Sequence, residues 1–186
     1  MSALDLVIAP DPRLKTRVDP VPIVDKSVQD LMDSMLETMY KNHGIGLAAV
    51  QVGAMQRVLV AQITEDMGWD HDDDFPLKDG YVAVGKAYCM ANPKIISFSK
   101  QELPLKEGCL SIPGTRDFVT RPESIIVEYT DRDGKLCTLK AERWLARCIQ
   151  HEVDHLNGIL FIDHLSKMKR DMALKKSSKI KKLQSP

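Results

Sequence analysis

The chain has 186 residues, and 44% of them are hydrophobic, which is enough for one packed domain. Its 26 basic and 26 acidic side chains cancel, which argues against a protein that coats nucleic acid. The N-terminal segment lacks the basic and apolar regions of a signal peptide, and no apolar run approaches the roughly 20 residues that span a bilayer. We therefore expect a globular cytoplasmic protein, with no membrane partner and no sequence-specific nucleic-acid partner.

Two segments have the periodicity of amphipathic helices. The first begins at an N-cap, Asp25 or Ser27, and ends before Gly44. Its methionines recur at three- and four-residue spacing, so we predict that they lie in the core. The second helix extends from about residue 142 to residue 157 and ends at Gly158.

Runs rich in β-branched residues lie between these helices. They predict strands at 57–63, 94–99 and 124–130, and Asp133-Gly134 predicts a hairpin turn. Because strands joined by hairpins do not alternate with helices here, we expect an α+β fold. In this fold, antiparallel β-sheets pack around the second helix as the central helix.

Charge divides the chain into two parts. Residues 166–186 carry eight basic side chains and one acidic side chain, so the net charge of residues 1–165 is −7. We predict one globular domain over 1–165 and a basic, helical C-terminal tail over 166–186. The acidic stretch at 62–80 is predicted to be a solvated loop. The four cysteines form no CxxC pair and are expected to be mostly reduced.

The second helix carries the strongest chemical signal. At about 100° per residue, His151, Glu152 and His155 share the apolar side of the helix. The opposite, polar side carries Arg147, Gln150 and Asp154. A buried ionised carboxylate without a partner costs several kcal/mol, so Glu152 needs a cation, a donor or a proton. The HEVDH sequence at 151–155 is an HExxH motif, whose two imidazoles align on one metal ion.

A third ligand decides what kind of metal site this is. In the extended HExxHxxGxxH pattern the third ligand would be residue 161, which is phenylalanine. Cys109 lies in a bend bounded by glycine and proline, where a thiolate can be presented to a metal ion. The sequence therefore favours Cys109 with the two histidines. The other candidates for a third ligand are Asp163, His164 and Asp171.

Three short motifs follow one another along the chain: GIGLAAVQ at 44–51, EGCLS at 107–111 and HEVDHLNG at 151–158. In sequence and in order, they resemble the motifs of the peptide deformylase family. The segment PDPRL at 10–14 is also similar to the family's N-terminal segment, so the resemblance covers about residues 6–165. It implies a metal-dependent hydrolase that removes the formyl group from N-formyl-methionyl nascent polypeptides and releases formate.

The resemblance also implies the ligand set. Cys109, His151 and His155 hold one divalent metal ion, with water in the fourth position. The family's native metal is ferrous iron, and a thiolate with two imidazoles also accepts Zn²⁺, Ni²⁺ or Co²⁺. Three protein ligands and one open position are typical of a catalytic centre.

Catalytic roles follow from the same resemblance. Glu152 takes a proton from water and then protonates the leaving amine. The Gln51 side chain and the backbone N–H of Leu110 are the donors to the formyl oxygen, on which charge develops.

Other residues near these motifs have two interpretations each. Glu107 and Arg121 resemble the family's buried ion pair, which either supports the metal loop or is a plain structural pair. Some residues either bind substrate or belong to turns and core packing. These candidates for substrate binding are Ile45, Gly46, Gly108, Trp144 and Cys148. Trp144 and Arg147 stand where relatives often carry aliphatic residues.

The basic tail is either a solvated extension or, as the resemblance implies, a helix that docks on the ribosome through phosphate contacts. Two other functions remain open. One is a different HExxH metallohydrolase, with Asp163 or His164 as its third ligand. The other is a structural-zinc module that binds the ribosome, in which Cys137 or Cys89 completes a closed site. The second alternative leaves Glu152 without a role.

Overall fold

The computed structural model describes residues 2–63 and 85–184, so the predicted loop at 62–80 lies almost entirely outside the described residues. Within them, three helices pack with two antiparallel sheets, which confirms the predicted α+β class. The helices are α1 (Lys26–Lys41), α2 (Arg143–Leu156) and α3 (Lys167–Gln184).

The larger sheet has five strands in the order β1-β2-β3-β6-β7, and every neighbouring pair is antiparallel. Its strands are β1 (Gly46–Ala48), β2 (Val58–Ala61), β3 (Tyr88–Phe98), β6 (Ser124–Thr130) and β7 (Leu136–Glu142). The prediction at 124–130 agrees with β6, while those at 57–63 and 94–99 overlap β2 and β3. Gly134 donates its N–H to the Asp131 carbonyl (3.1 Å), which confirms the predicted turn between β6 and β7.

The second sheet is a hairpin of β4 (Glu102–Cys109) and β5 (Ile112–Pro122). The sequence did not predict it. On β4 the buried positions alternate, but they are occupied by Leu105 and Glu107, and a carboxylate breaks the apolar alternation by which a strand is recognised. A register shift lies between Gly108 and Cys109, at the bend predicted there.

Helix α1 forms as its sequence predicts. The Asp25 side chain accepts the Val28 N–H (3.0 Å), which satisfies one of the free donors at the helix N-terminus. Met32, Met35 and Met39 are completely buried against the larger sheet, so the predicted methionine core is confirmed.

Helix α2 is buried on two sides. Leu145, Ile149 and Leu156 pack in the apolar core with strands of the larger sheet. The polar side of the helix is also covered, because the β4–β5 hairpin lies against it and exchanges hydrogen bonds with it. Arg147 is 4% exposed and Gln150 is 5% exposed. We call the buried contacts of Arg147, Gln150 and Asp154 with the hairpin the polar seam.

The predicted C-terminal helix is present as α3, and it packs on β5. Ala173 and Ser177 are buried there, and the Ser177 hydroxyl donates to the Ala9 carbonyl (2.7 Å). The division into a domain at 1–165 and a tail at 166–186 stays a prediction. No helix in the described part of the chain is long and apolar enough to cross a membrane. All four cysteines lie in the described residues, and they are free thiols.

The packing of α3 can be tested with two neighbouring substitutions. Ala173→Glu buries a carboxylate without a partner, so we expect it to lower the free energy of unfolding by about 2–4 kcal/mol. Met172 is 63% exposed, and Met172→Glu should change that free energy by less than about 0.5 kcal/mol. Urea denaturation measures both values, and equal values for the two variants would contradict the packing.

Candidate active site

Two elements bring together the three predicted metal ligands. Cys109 ends β4, while His151 and His155 lie one turn apart on α2. One ligand atom from each residue lies within 4.8 Å of the others, and Cys109 Sγ is 3.2 Å from His155 Nε2. Within residues 2–63 and 85–184, this is the single cluster of three residues that could hold a metal ion.

Glu107 fixes the orientation of His151. Its Oε2 lies 2.9 Å from His151 Nδ1, so an N–H at Nδ1 leaves the lone pair of Nε2 for a metal ion. Burial by itself would raise the pKa of Glu107, but hydrogen bonds from His151 and Arg121 outweigh it and hold that pKa below its usual range. Glu107 is therefore an ionised acceptor.

Two guanidinium groups converge on Glu107. The predicted pair is present, because Arg121 donates from Nε to Oε1 (2.6 Å) and from Nη2 to Oε2 (3.1 Å). Arg147 donates from Nη1 to the same Oε1 (2.6 Å), a contact that the sequence analysis missed. One signal could have indicated this contact: Arg147 lies one helical turn before His151. The sequence did not show which element covers that side of α2.

Glu152 is buried beside this cluster with incomplete hydrogen bonding. It is 4% exposed, and its Oε2 has no hydrogen-bond partner. Burial raises the pKa of Glu152 to about 7. An unpartnered buried carboxyl oxygen next to one thiol and two imidazoles fits a site that takes a metal ion and a water molecule. The donor set, one soft sulfur and two imidazole nitrogens, suits Fe²⁺, Zn²⁺, Co²⁺ or Ni²⁺.

A cleft of about 1140 Å³ opens onto Glu152 and the cluster. Every predicted site residue except His155 and Arg121 lines this cleft. The lining includes Cys109, His151, Glu152 and Glu107. The other predicted residues in it are Ile45, Gly46, Gln51, Gly108, Leu110, Trp144 and Cys148. Their roles in catalysis and substrate binding stay predictions.

Hydrogen bonds at both the oxygen and the nitrogen of its side-chain amide orient Gln51. Its Oε1 accepts the Ala48 N–H (2.7 Å), so its amide nitrogen faces the cluster. Nε2 lies 3.4 Å from Cys109 Sγ and 3.3 Å from Ser111 Oγ. A donor is therefore held next to the predicted metal position, and Ser111 is a further contact that the sequence analysis did not identify.

The other proposed ligands are engaged elsewhere. Asp163 pairs with Lys15, and the His164 ring lies 2.8 Å from Asp154. The remaining candidates, which also lie outside the cluster, are Asp171, Cys89 and Cys137. The structure thus supports neither a site with a ligand from 163–164 nor a closed site with a second cysteine.

A Cys-His-His cluster with an adjacent buried glutamate is the arrangement of a metallohydrolase of the HExxH class. The family profile described as polypeptide deformylase matches residues 3–171. Peptide deformylase of Wolbachia pipientis wMel is 50% identical over 182 residues, which are 98% of this chain and 98% of that protein. The chain belongs to the polypeptide deformylase family, and it is an enzyme.

Solved structures agree with this assignment. The crystal structure of peptide deformylase from Ehrlichia chaffeensis matches with a TM-score of 0.87 and 47% identity, over 97% of this chain and 98% of that chain. A crystal structure from the same organism in complex with actinonin matches with a TM-score of 0.86 and 46% identity, over 100% of both chains. The resemblance found in the sequence is confirmed.

Gly46 provides a test of how closely Glu152 is packed. A Cβ atom at position 46 would lie 2.5 Å from Glu152 Oε1 and 2.6 Å from Cys148 Sγ. We expect Gly46→Ala to displace Glu152 and to lower the free energy of unfolding by about 1–3 kcal/mol. In Gly108→Ala the nearest contact is 3.2 Å, to Cγ of the Arg116 side chain, and the loss should be under about 1 kcal/mol. Denaturant unfolding of both variants measures the difference, and a smaller loss in Gly46→Ala would contradict the packing.

Proposed function

We propose that the enzyme removes the formyl group from N-formyl-methionyl peptides and releases formate, using a divalent metal ion held by Cys109, His151 and His155. The observation that carries this proposal is the unpartnered Oε2 of buried Glu152, next to the ligand cluster in an open cleft. Membership of the family supports the substrate class. Ferrous iron is the proposed native metal, and Zn²⁺, Ni²⁺ or Co²⁺ would substitute for it.

We assign each step of the proposed reaction to a group near the cluster. The bound metal ion would polarise the formyl oxygen and lower the pKa of a water molecule. Glu152 takes a proton from a water molecule as the water oxygen adds to the formyl carbon. It gives that proton to the amine nitrogen as the carbon–nitrogen bond breaks, which leaves formate and a free amine. The raised pKa of Glu152 suits both transfers. Gln51 Nε2 and the Leu110 backbone N–H donate to the formyl oxygen as negative charge develops on it.

The cleft also provides a place for the methionine side chain. Ile45, Trp144 and Cys148 line it. Cys148 Sγ donates to the Ile45 carbonyl (3.3 Å), which links α2 to the segment before β1. Gly46 and Gly108 let a peptide backbone approach closely, because neither has a side chain. An apolar pocket of this kind suits the flexible thioether chain of methionine. Glu107 and Arg121 would hold His151 in its ligating orientation.

Substitutions of Glu152 and Cys109 test the reaction and the ligand set separately. Enzyme loaded anaerobically with Fe²⁺, or with Ni²⁺, should release formate from a short formyl-methionyl peptide, and chelation should stop the release. Glu152→Gln should lower kcat by about 10²–10⁴-fold while the metal content is retained, because it removes the proton acceptor alone. Cys109→Ser should lose metal, whereas Asp163→Asn should keep it.

Formate release that survives Glu152→Gln would contradict the proposed role of Glu152. Unchanged metal content in Cys109→Ser would contradict the ligand set. No formate from folded, metal-loaded enzyme would contradict the proposed substrate.

The cytoplasmic location expected from the sequence stays a prediction.

We propose further that α3 docks on the ribosome, where this enzyme would meet nascent chains. Packing on β5 leaves the other side of α3 rich in exposed lysines. Lys175, Lys179 and Lys182 are exposed at i, i+4 and i+7, which places them on one side of the helix. Such a row of cations suits the phosphates of ribosomal RNA.

Charge removal tests this docking. The triple substitution of Lys175, Lys179 and Lys182 by Gln should weaken ribosome binding and make its dependence on salt less steep, because each lost phosphate contact reduces the slope by about one. The matched control replaces three exposed lysines far along the chain from α3, namely Lys100, Lys135 and Lys140. Sedimentation with ribosomes over a salt series measures both, and equal binding of the two triple variants would contradict the proposal.

A further inference from the structure

The metal-ligand cluster joins two separate elements. Cys109 belongs to the β4–β5 hairpin, while His151 and His155 belong to α2. The distances among the three ligand atoms therefore depend on how the hairpin is seated on the helix. Neither element fixes that position by itself, because the hairpin is a separate two-stranded sheet.

Arg147 of α2 makes three hydrogen bonds to the hairpin. Its Nη1 donates to Glu107 Oε1 (2.6 Å) and to the Val119 carbonyl (2.8 Å). Its Nη2 donates to the Leu103 carbonyl (2.5 Å). One guanidinium of α2 thus holds both strands of the hairpin, at acceptors on three different residues. A planar fork with several donors is suited to this, and a lysine ammonium is not.

The rest of the polar seam reinforces the same junction. Gln150 Nε2 donates to the Pro122 carbonyl (3.0 Å), and Arg121 Nη1 donates back to Asp154 Oδ2 (2.8 Å). Of the three seam residues on α2, Arg147 is the one that touches Glu107, which in turn contacts His151 Nδ1. Arg147 is therefore linked to a predicted metal ligand by two consecutive hydrogen bonds.

Arg147 supplies one of the two guanidinium charges that face the carboxylates of the seam. Glu107 and Asp154 contribute two negative charges, and Arg121 and Arg147 contribute two positive charges. All four lie in or next to the buried junction, where an unbalanced charge is costly. Without Arg147, the Glu107 and Asp154 carboxylates would share the guanidinium of Arg121, and Glu107 would be free to shift toward Arg121.

We propose that Arg147 is a positioning residue of the metal site. Its fork seats the β4–β5 hairpin on α2 so that Cys109 converges with the two histidines, and it holds Glu107 against His151 Nδ1. It acts through the hairpin and Glu107 and does not itself ligate the metal. The inference rests on the proposed function in one respect, since it takes the cluster to be a metal site.

Co²⁺ provides a readout that does not depend on activity. Metal-free enzyme is titrated with Co²⁺ in competition with a chelator, and the visible absorption of bound Co²⁺ reports its ligand geometry. Arg147→Leu should weaken Co²⁺ binding about tenfold, the low end for residues that orient a ligand, and should shift the absorption bands. Arg147→Lys keeps the charge without the fork, so it should give an intermediate affinity and a shifted spectrum.

The matched control is Arg132→Leu. Arg132 also makes a two-pronged pair, with Asp33 (2.8 and 2.7 Å). Arg132 lies in the β6–β7 turn and Asp33 lies on α1, so this pair joins elements other than the two that carry the cluster. We expect its Co²⁺ affinity and spectrum to equal those of the unaltered enzyme. Thermal unfolding of all variants separates lost stability from altered metal geometry.

The outcomes divide cleanly between the two proposals. If the unaltered enzyme does not bind Co²⁺, the proposed metal site itself fails. If it binds Co²⁺ and Arg147→Leu has the same affinity and spectrum, the positioning role is overturned, even where stability falls. If Arg147→Leu does not fold, the Arg147→Lys variant decides, and an unchanged affinity and spectrum in that variant overturns the role of the fork.

Discussion

The rest of this structure depends on the interactions of one buried carboxylate, that of Glu107. It is 5% exposed and is bound by Arg121, Arg147 and the His151 ring at the same time. An ionised carboxylate is costly to bury unless its acceptor positions are filled, and these three partners fill them for Glu107. Because they come from β5 and α2 while Glu107 comes from β4, their convergence fixes the hairpin on the helix.

This junction explains how an HExxH helix becomes the centre of the molecule. The apolar side of α2 packs on the larger sheet, and the polar seam binds the hairpin, so both sides are buried by different chemistry. Glu152 lies where the helix faces the cleft instead, and its Oε2 is left without a partner. The Glu107 carboxylate, which supports His151, has hydrogen bonds to both of its oxygens, whereas Glu152 Oε2 has none where the reaction is proposed to occur.

The C-terminal helix has a place in the same design. Its buried side contacts β5, the strand that also carries Arg121, and Lys181 reaches the lining of the cleft. Lys181 Nζ donates to the Ile8 carbonyl (3.3 Å), which connects α3 to the N-terminal segment. The helix thus packs beside the cleft while it presents lysines outward, so the same element could serve both stability and the proposed docking.

Short-range features of this protein were determined by its sequence alone. Each of these features depends on residues a few positions apart. They are the Asp25 cap, the buried methionines of α1, the turn at Gly134 and the position of His151 and His155 on one side of α2. Propensity and periodicity express such local geometry directly. Cys109 was favoured by its bend and its motif, although no spacing along the chain relates it to the histidines.

Only the tertiary structure decided the remainder, because the contacts involved join distant parts of the chain. Arg147 and Glu107 are 40 residues apart, and the helical pattern placed Arg147 on a polar side without revealing what covers it. The β4–β5 hairpin was missed because its inward position holds Glu107, a residue that is buried only once its partners arrive. Polar groups can be buried when folding supplies their partners, and a linear pattern of polarity does not contain those partners.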